Sequence, residues 1–288
     1  MPFLDDYSDV PMRIELIFKD RKNYKEVSLG IATGFIYQLK KPPKKCFLIS
    51  NWHVFSGRNV YTGQSLHGGH IPNYIYVYLP SKKGYPDRDE RTEIPLEDED
   101  EDGLPLWIQH EKGQFVDLAG IELDLPDKSS REMYPINNFF SNESMCLMIG
   151  LDTFILGYPL GITSNKHYPV WKRATLASEP NFDVHNKKII LVDTASAPGM
   201  SGAPVILRSI QTYLDEKNEF VFDVGVHTKF IGVYSGRLQQ GDLVTQSGTV
   251  ETQIGILWKA ELVVEMISSP VHGDYKTFKK GEKDFYNI

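Results

Sequence analysis

"PGMSGAPVILRSI", residues 198–210, decides the fold. A serine stands between a methionine and a glycine, and an apolar run follows. If a helix followed, Ser201 would sit on the strand-to-helix elbow of a doubly wound sheet. The Gly-x-Ser-x-Gly spacing of that elbow is not met, because position 203 is alanine. The run "APVILRS" is rich in β-branched residues and reads as a strand. Ser201 therefore sits on a loop that opens a strand. Gly199 lets the chain turn so that its own N–H and that of Ser201 face one point, as an oxyanion site requires. Gly202 leaves room for close approach.

The rest of the chain extends this β reading. Short apolar runs recur between turn signals: "MRIELIFKD" (12–20), "VSLGIATGFIYQL" (27–39), "CFLISNWHVF" (46–55), "YIYVYLP", "PLWIQHE", "FVDLAGIEL", "TFILGYP", "VWKRATLAS", "KIILVDTA", "EFVFDV", "KFIGVYSG" and "QIGILWKA". Such spacing predicts an all-β sandwich or barrel. Alternating strand–helix units are missing, which disfavours a doubly wound sheet. One helix is expected over 260–269, where Leu262, Val263, Met266 and Ile267 recur at helical spacing. Residues 61–74 and 81–103 are polar and turn-rich, and read as surface loops. The tail over 275–288 is polar.

Composition sets the setting. The 288 residues carry a formal net charge of −7. Asp87 to Asp102 alone hold ten acids and two arginines, so the remainder is close to neutral. That run reads as a solvated loop, with partner docking as its functional alternative. No basic stripe points to nucleic acid. Two cysteines, Cys46 and Cys146, do not make a disulfide framework. The first ten residues lack a signal-peptide pattern, and no window is apolar enough to cross a membrane. A cytoplasmic protein without membrane or nucleic-acid partners is expected.

A nucleophilic serine needs a base, and the base needs an orienting group. Of eight histidines, His53 has the best context, because it closes an apolar run that anchors its backbone. A core histidine is the plainer alternative. His110 and His227 flank β-like runs in weaker surroundings. His67, His70, His167, His185 and His272 read as loop residues. The pair in "HGGH" lacks a third ligand nearby, so no metal is expected. Asp117 lies inside the apolar run "QFVDLAGIEL". A buried carboxylate is costly unless hydrogen-bonded, so Asp117 is either a structural anchor or part of a site.

Taken together, these stretches resemble the trypsin-like (chymotrypsin-fold) serine peptidases, most closely the HtrA/Deg-like bacterial branch. The resemblance runs in order over about residues 28–267. "ATGFIY" looks like the glycine-containing strand ahead of the histidine. "LISNWHV" is similar to "LTNxHV", "VDLAGIEL" to "DLAVLKV" and "ILGYPLGIT" to "xIGxPxG". "VDTASAPGMSGAPVI" resembles "TDAAxxPGxSGGPL". "FIGVYSG" resembles the substrate-groove strand, and "QIGILWKAELVVEMI" the closing strand and helix. The resemblance implies two packed six-stranded antiparallel β-barrels, over about 12–125 and 150–259. The helix 260–269 follows, then a polar tail over 271–288 and no PDZ module. It implies a serine endopeptidase acting on protein or peptide without a cofactor. His53 would be the base, Asp117 the orienting carboxylate and Ser201 the nucleophile, in the chymotrypsin order. Gly199 and Ser201 N–H groups would hold the oxyanion.

The departures from the family matter as well. Met200 occupies the position where digestive members carry an aspartate that pairs with a newly cut N-terminus. That activation route looks closed. Ala195 stands where trypsin has an aspartate, while Asp193 matches the HtrA-like aspartate. A basic P1 preference is therefore unsupported. The pocket implied between Ala195–Pro198 and Tyr234–Gly236 suits a small or medium apolar side chain, with Tyr234 narrowing it. The 64-residue gap from His53 to Asp117 holds the acidic run and is long for the family. That run is a candidate contact for an activating protein partner. A catalytically silent binding or scaffold protein on the same fold is the competing reading.

Overall fold

The computed structural model describes residues 5–42, 44–79, 91–98, 103–123, 133–139, 144–164, 168–238, 244–245, 248–249, 253–274 and 276. In chain order the strands are β1 (Pro11–Lys19), β2 (Glu26–Leu39), β3 (Lys45–Ser50), β4 (Tyr74–Val77), β5 (Thr92–Pro95), β6 (Ile108–Gln109), β7 (Ala119–Leu123) and β8 (Asp152–Gly157). They continue as β9 (Val170–Leu176), β10 (Ile189–Asp193), β11 (Pro204–Leu214), β12 (Phe220–Arg237), β13 (Val244–Thr245), β14 (Gly248–Thr249), β15 (Ile254–Lys259) and β16 (Val271–His272). Two α-helices accompany them, α1 (Trp52–Ser56) and α2 (Glu261–Ser268).

These strands form two lobes, as the trypsin-like double-barrel expectation requires. The second lobe is a closed six-stranded barrel in the order β10-β15-β12-β11-β8-β9. The first is a half-barrel of eight strands in the order β16-β6-β7-β3-β2-β1-β4-β5. It exceeds the expected six because short strands extend both edges. At one edge β5 pairs with β4, and at the other β16 pairs with β6. A small separate ribbon joins β13 to β14.

Side-chain alternation explains the lobes. One apolar cluster fills the first lobe, with Ile14, Ile36, Leu48, Trp52 and Trp107 among its members. Another fills the barrel of the second, including Ile155, Val192, Val205, Met200 and Leu257. A third lies between them. It joins Phe35, Ile49 and Leu118 of the first lobe to Ile189, Val233 and Trp258 of the second. Leu262, Val263, Met266 and Ile267 of α2, the four residues that marked the helix in the sequence, are buried in this middle cluster. The lobes are thus packed on each other by a continuous apolar layer, the kind of contact that fixes relative orientation.

Several expected boundaries move. The run 46–55 was expected to be one strand, but β3 ends at Ser50 and the chain enters α1. "EFVFDV" and "KFIGVYSG" merge into β12, because β11 pairs with it on both sides of an irregularity at Gln211, opposite residues 223–225. The loop expected over 81–103 contains β5. There Glu93 meets Lys19 at 2.7 Å and Glu97 meets Arg21 at 3.3 Å. Part of the acidic run is therefore paired; the residues over 81–90 and 99–102 lie outside the described residues. The tail expected from 271 begins with β16, which returns to the first lobe and bonds Gly273 N–H to the Trp107 carbonyl at 2.8 Å. Cys46 and Cys146 are free thiols, and burial pushes Cys46 up.

Candidate active site

His53 is positioned by a strand-to-helix transition. Asn51 is the extended residue between β3 and α1, and α1 carries His53 on its first turn. Gly57 ends the helix in a left-handed conformation at φ 62°, where a Cβ would fall 2.3 Å from Pro72 Cδ. Trp52, the residue before His53, is buried and donates through Nε1 to Gln109 at 2.9 Å. His53 thus leaves a helix that is pinned on both sides of it.

Asp117 lies just before β7 and is only 2% exposed. Each of its acceptors is engaged. Its carbonyl receives Asn51 Nδ2 at 2.7 Å. Oδ1 receives the backbone N–H of His53 at 2.9 Å, and Oδ2 lies 2.7 Å from His53 Nδ1. The Ser235 hydroxyl, reaching from β12 in the other lobe, also donates to Oδ2. An ionised carboxylate only accepts, so the imidazole proton belongs on Nδ1 and Nε2 carries the free lone pair. The pair has the form of a base with its tautomer set. A small cavity behind Asp117, lined by Tyr61, Gln114, Lys187, Ser235 and Trp258, marks its place at the lobe boundary. Burial and the Asp117 carboxylate push Tyr61 up to about 12, and burial pushes Lys187 down to about 8.

The Ser201 loop is held by main-chain contacts. Gly199 and Gly202 take φ of 97° and 82°, which β-carbons disfavour. A Cβ on Gly199 would lie 2.3 Å from the Tyr158 carbonyl. A Cβ on Gly202 would lie 2.1 Å from the Thr33 carbonyl and 2.2 Å from Ser50 Oγ. The close approach expected at Gly202 is thus to β2 and to the end of β3, three residues before His53. The Ser201 carbonyl receives Thr33 N–H at 2.9 Å. Met200 is fully buried in the barrel core. Among the described residues, neither Gly199 N–H nor Ser201 N–H donates to a backbone carbonyl, and the Ser201 hydroxyl makes no hydrogen bond with His53. Catalytic hydrogen bonds are often long in unliganded enzymes and tighten with substrate.

The pocket residues named from the sequence differ in exposure. Ala195 and Pro198 are exposed, and Gly236 is half-buried at φ 130°. Tyr234 is 1% exposed, and its hydroxyl is bonded to the Ser196 hydroxyl. Its ring packs where a Cβ on Gly255 would lie 2.6 Å away. Burial pushes the Tyr234 phenol up, against the opposing effects of Ser196 and Arg237. Arg237 in turn donates to the Ser196 carbonyl. Three segments of the chain are tied together here.

Sequence reading placed Ser235 only within the Tyr234–Gly236 pocket wall, not beside Asp117, and did not assign Thr33 or His67 to the site. Ser235 had a signal, since it lies between two residues already named for the pocket. His67 had none. It lies on its expected loop, yet burial and then the charge of neighbouring His53 push it down, against a hydrogen bond with the Leu29 backbone. His70, its partner in "HGGH", instead packs on Phe18 with ring centroids 4.6 Å apart. Among the described residues no group of three His, Cys, Asp or Glu side chains is arranged to hold a metal. No helix among them is long and apolar enough to cross a membrane.

No family model and no curated protein matches the chain. Among solved structures it is similar to the inactive form of Rv3671c protease, at 16% identity and a TM-score of 0.42. That match covers 91% of this chain and 89% of the other. It is also similar to an inactive serine-to-alanine mutant of Rv3671c from M. tuberculosis H37Rv, at 15% identity and a TM-score of 0.44. This second match covers 91% of this chain and 86% of the other.

Proposed function

We propose that the protein is a serine endopeptidase working through Ser201, His53 and Asp117. The observation that carries the reading is the His53–Asp117 pair, joined both through Nδ1 at 2.7 Å and through the backbone N–H at 2.9 Å. In the proposed reaction Ser201 Oγ attacks the scissile carbonyl while His53 Nε2 takes its proton. The developing oxyanion sits against the Gly199 and Ser201 N–H groups. His53 then protonates the leaving amine, and water hydrolyses the acyl-enzyme by the reverse sequence. Asp117 holds the tautomer and stabilises the imidazolium without taking the proton.

The buried Tyr234 ring, with its hydroxyl on Ser196, supports a preference for a small or medium apolar P1 side chain. The acidic run 87–102 is the proposed contact for an activating protein partner, and replacing the acids at 99–102 by their amides should change activation. The test of the main reading is labelling by a fluorophosphonate. Wild type should label and Ser201→Ala should not. Labelling that survives Ser201→Ala would move the nucleophile elsewhere. A folded wild type that neither labels nor cleaves a peptide library, alone or with partners, would favour the silent scaffold.

A further inference from the structure

Thr33 is fully buried in β2, and all its polar groups point toward the site. The reason lies in the sheet. β3 pairs with β2 from Lys45 to Ile49, against Leu39 back to Phe35, and then turns away into α1. The edge of β2 at Thr33 is thereby vacated, and the Ser201 loop from the other lobe fills it. Thr33 N–H donates to the Ser201 carbonyl at 2.9 Å, and the Thr33 carbonyl receives Ser50 Oγ at 2.8 Å. Thr33 Oγ1 donates to the Gly199 carbonyl at 2.7 Å and accepts from Tyr158 N–H at 3.2 Å. A second tie holds the preceding peptide, where Leu160 N–H donates to the Pro198 carbonyl at 2.6 Å. Leu160 adopts φ 53° to do so.

Peptide planarity converts these ties into aim. In a trans peptide the C=O and N–H point in opposite directions. The bond at the Pro198 carbonyl therefore turns Gly199 N–H away from Leu160. The bond from Ala203 N–H to the Met200 carbonyl, at 3.0 Å, does the same for Ser201 N–H. The Thr33 hydroxyl fixes the peptide between these two. We propose that Thr33 is a positioning residue that latches the oxyanion loop from the opposite lobe. The work an acid–N-terminus ion pair does elsewhere then falls to a buried threonine hydroxyl and the buried Met200 side chain. The loop is organised whenever the lobes are packed together, with no cut in the chain required.

This inference rests on the peptidase reading, so its test keeps the two apart. Thr33→Val and Thr33→Ala both remove the hydroxyl but differ in shape, while Thr33→Ser keeps it. With each variant shown to be folded by thermal melting, fluorophosphonate labelling is resolved into its maximal rate and its half-saturating probe concentration. We expect both hydroxyl-less variants to lose about 10- to 100-fold in maximal rate. The half-saturating concentration should stay within about twofold, and Thr33→Ser should stay within about threefold of wild type. Equal maximal rates in wild type, Thr33→Val and Thr33→Ala overturn the latch. So does a loss that Thr33→Ser fails to restore, or unfolding of both hydroxyl-less variants, which would make the hydroxyl a requirement of the fold alone. If wild type does not label at all, the peptidase reading fails. The latch is then read by NMR from the Gly199 and Ser201 amides. These should shift and exchange faster in Thr33→Val than in Thr33→Ser, and unchanged amides overturn it.

Discussion

The two halves of the site are held by different means. His53 and Asp117 belong to one lobe and are fixed by side chains. Asn51, the His53 imidazole and Ser235 converge on a single buried aspartate. The Ser201 loop belongs to the other lobe and is fixed mainly through its backbone: the carbonyls of Pro198, Gly199, Met200 and Ser201 accept, and the N–H groups of Met200 and Gly202 donate to the Ala197 and Tyr234 carbonyls. On the proposed peptidase reading, the difference follows from the task. A base needs one tautomer and one ring orientation, which a carboxylate supplies. An oxyanion site needs two backbone N–H groups left without internal partners, and only their carbonyls can be tied down without spending those donors. The two halves should therefore fail differently when disturbed.

The largest effect should come from the side-chain half. Asp117→Asn keeps the shape but presents an amide that can donate, so the imidazole proton no longer has to lie on Nδ1. We expect kcat to fall by about 10⁴-fold with little change in KM. Steady-state kinetics on any peptide that wild type cleaves checks this. A fall of less than tenfold would remove Asp117 from the mechanism.

A backbone clash in the Ser201 loop should act on stability. Gly202→Ala places a methyl 2.1 Å from the Thr33 carbonyl at a φ that alanine avoids. We expect a loss of about 3 kcal/mol, read from denaturant unfolding. A stability within about 0.5 kcal/mol of wild type would show that the loop does not dock on β2 as described.

Ser235 is a second side-chain link between the lobes, because it reaches from β12 to Asp117. Ser235→Ala removes one charge-assisted hydrogen bond and leaves the bonds to His53 in place. A fall of about 10-fold in kcat is expected, smaller than for Asp117→Asn. A change confined to KM would place Ser235 in substrate binding rather than in support of the aspartate.

The same division explains what could be read from the sequence. Residues that need special chemistry left marks. Asp117 is an acid in an apolar run, Ser201 sits among glycines, and the apolar residues of α2 recur at helical spacing. Residues that act through a distant partner left none. Thr33 looks like any β-branched strand residue, and its role depends on a carbonyl 166 positions away. The end of β3 was hidden because "CFLISNWHVF" is apolar on both sides of Ser50 and Asn51 and gives no period that separates strand from helix. β5 was hidden by the acidic run around it; its one charged residue, Glu93, pairs with Lys19, and Glu97 just beyond it pairs with Arg21. β16 is two residues long and exists only because β6 offers an edge.

The smallest expected effect probes the cavity behind Asp117. Lys187 lines it, half-buried, and burial lowers its pKa to about 8 from an ordinary 10.5. The folded state thus favours the neutral amine more than the unfolded chain does. Below pH 8 both states are protonated and the folded one bears the full cost of burying the charge. Between pH 8 and about 10.5 the folded state loses its proton first, so the cost shrinks and stability rises with pH. Lys187→Met should therefore stabilise the protein by about 1 kcal/mol at pH 7, with an advantage that fades toward pH 10.5. Unfolding curves of both proteins across that range test this. An advantage that stays constant with pH would mean that the ammonium is solvated, and that the cavity behind the aspartate is open to water.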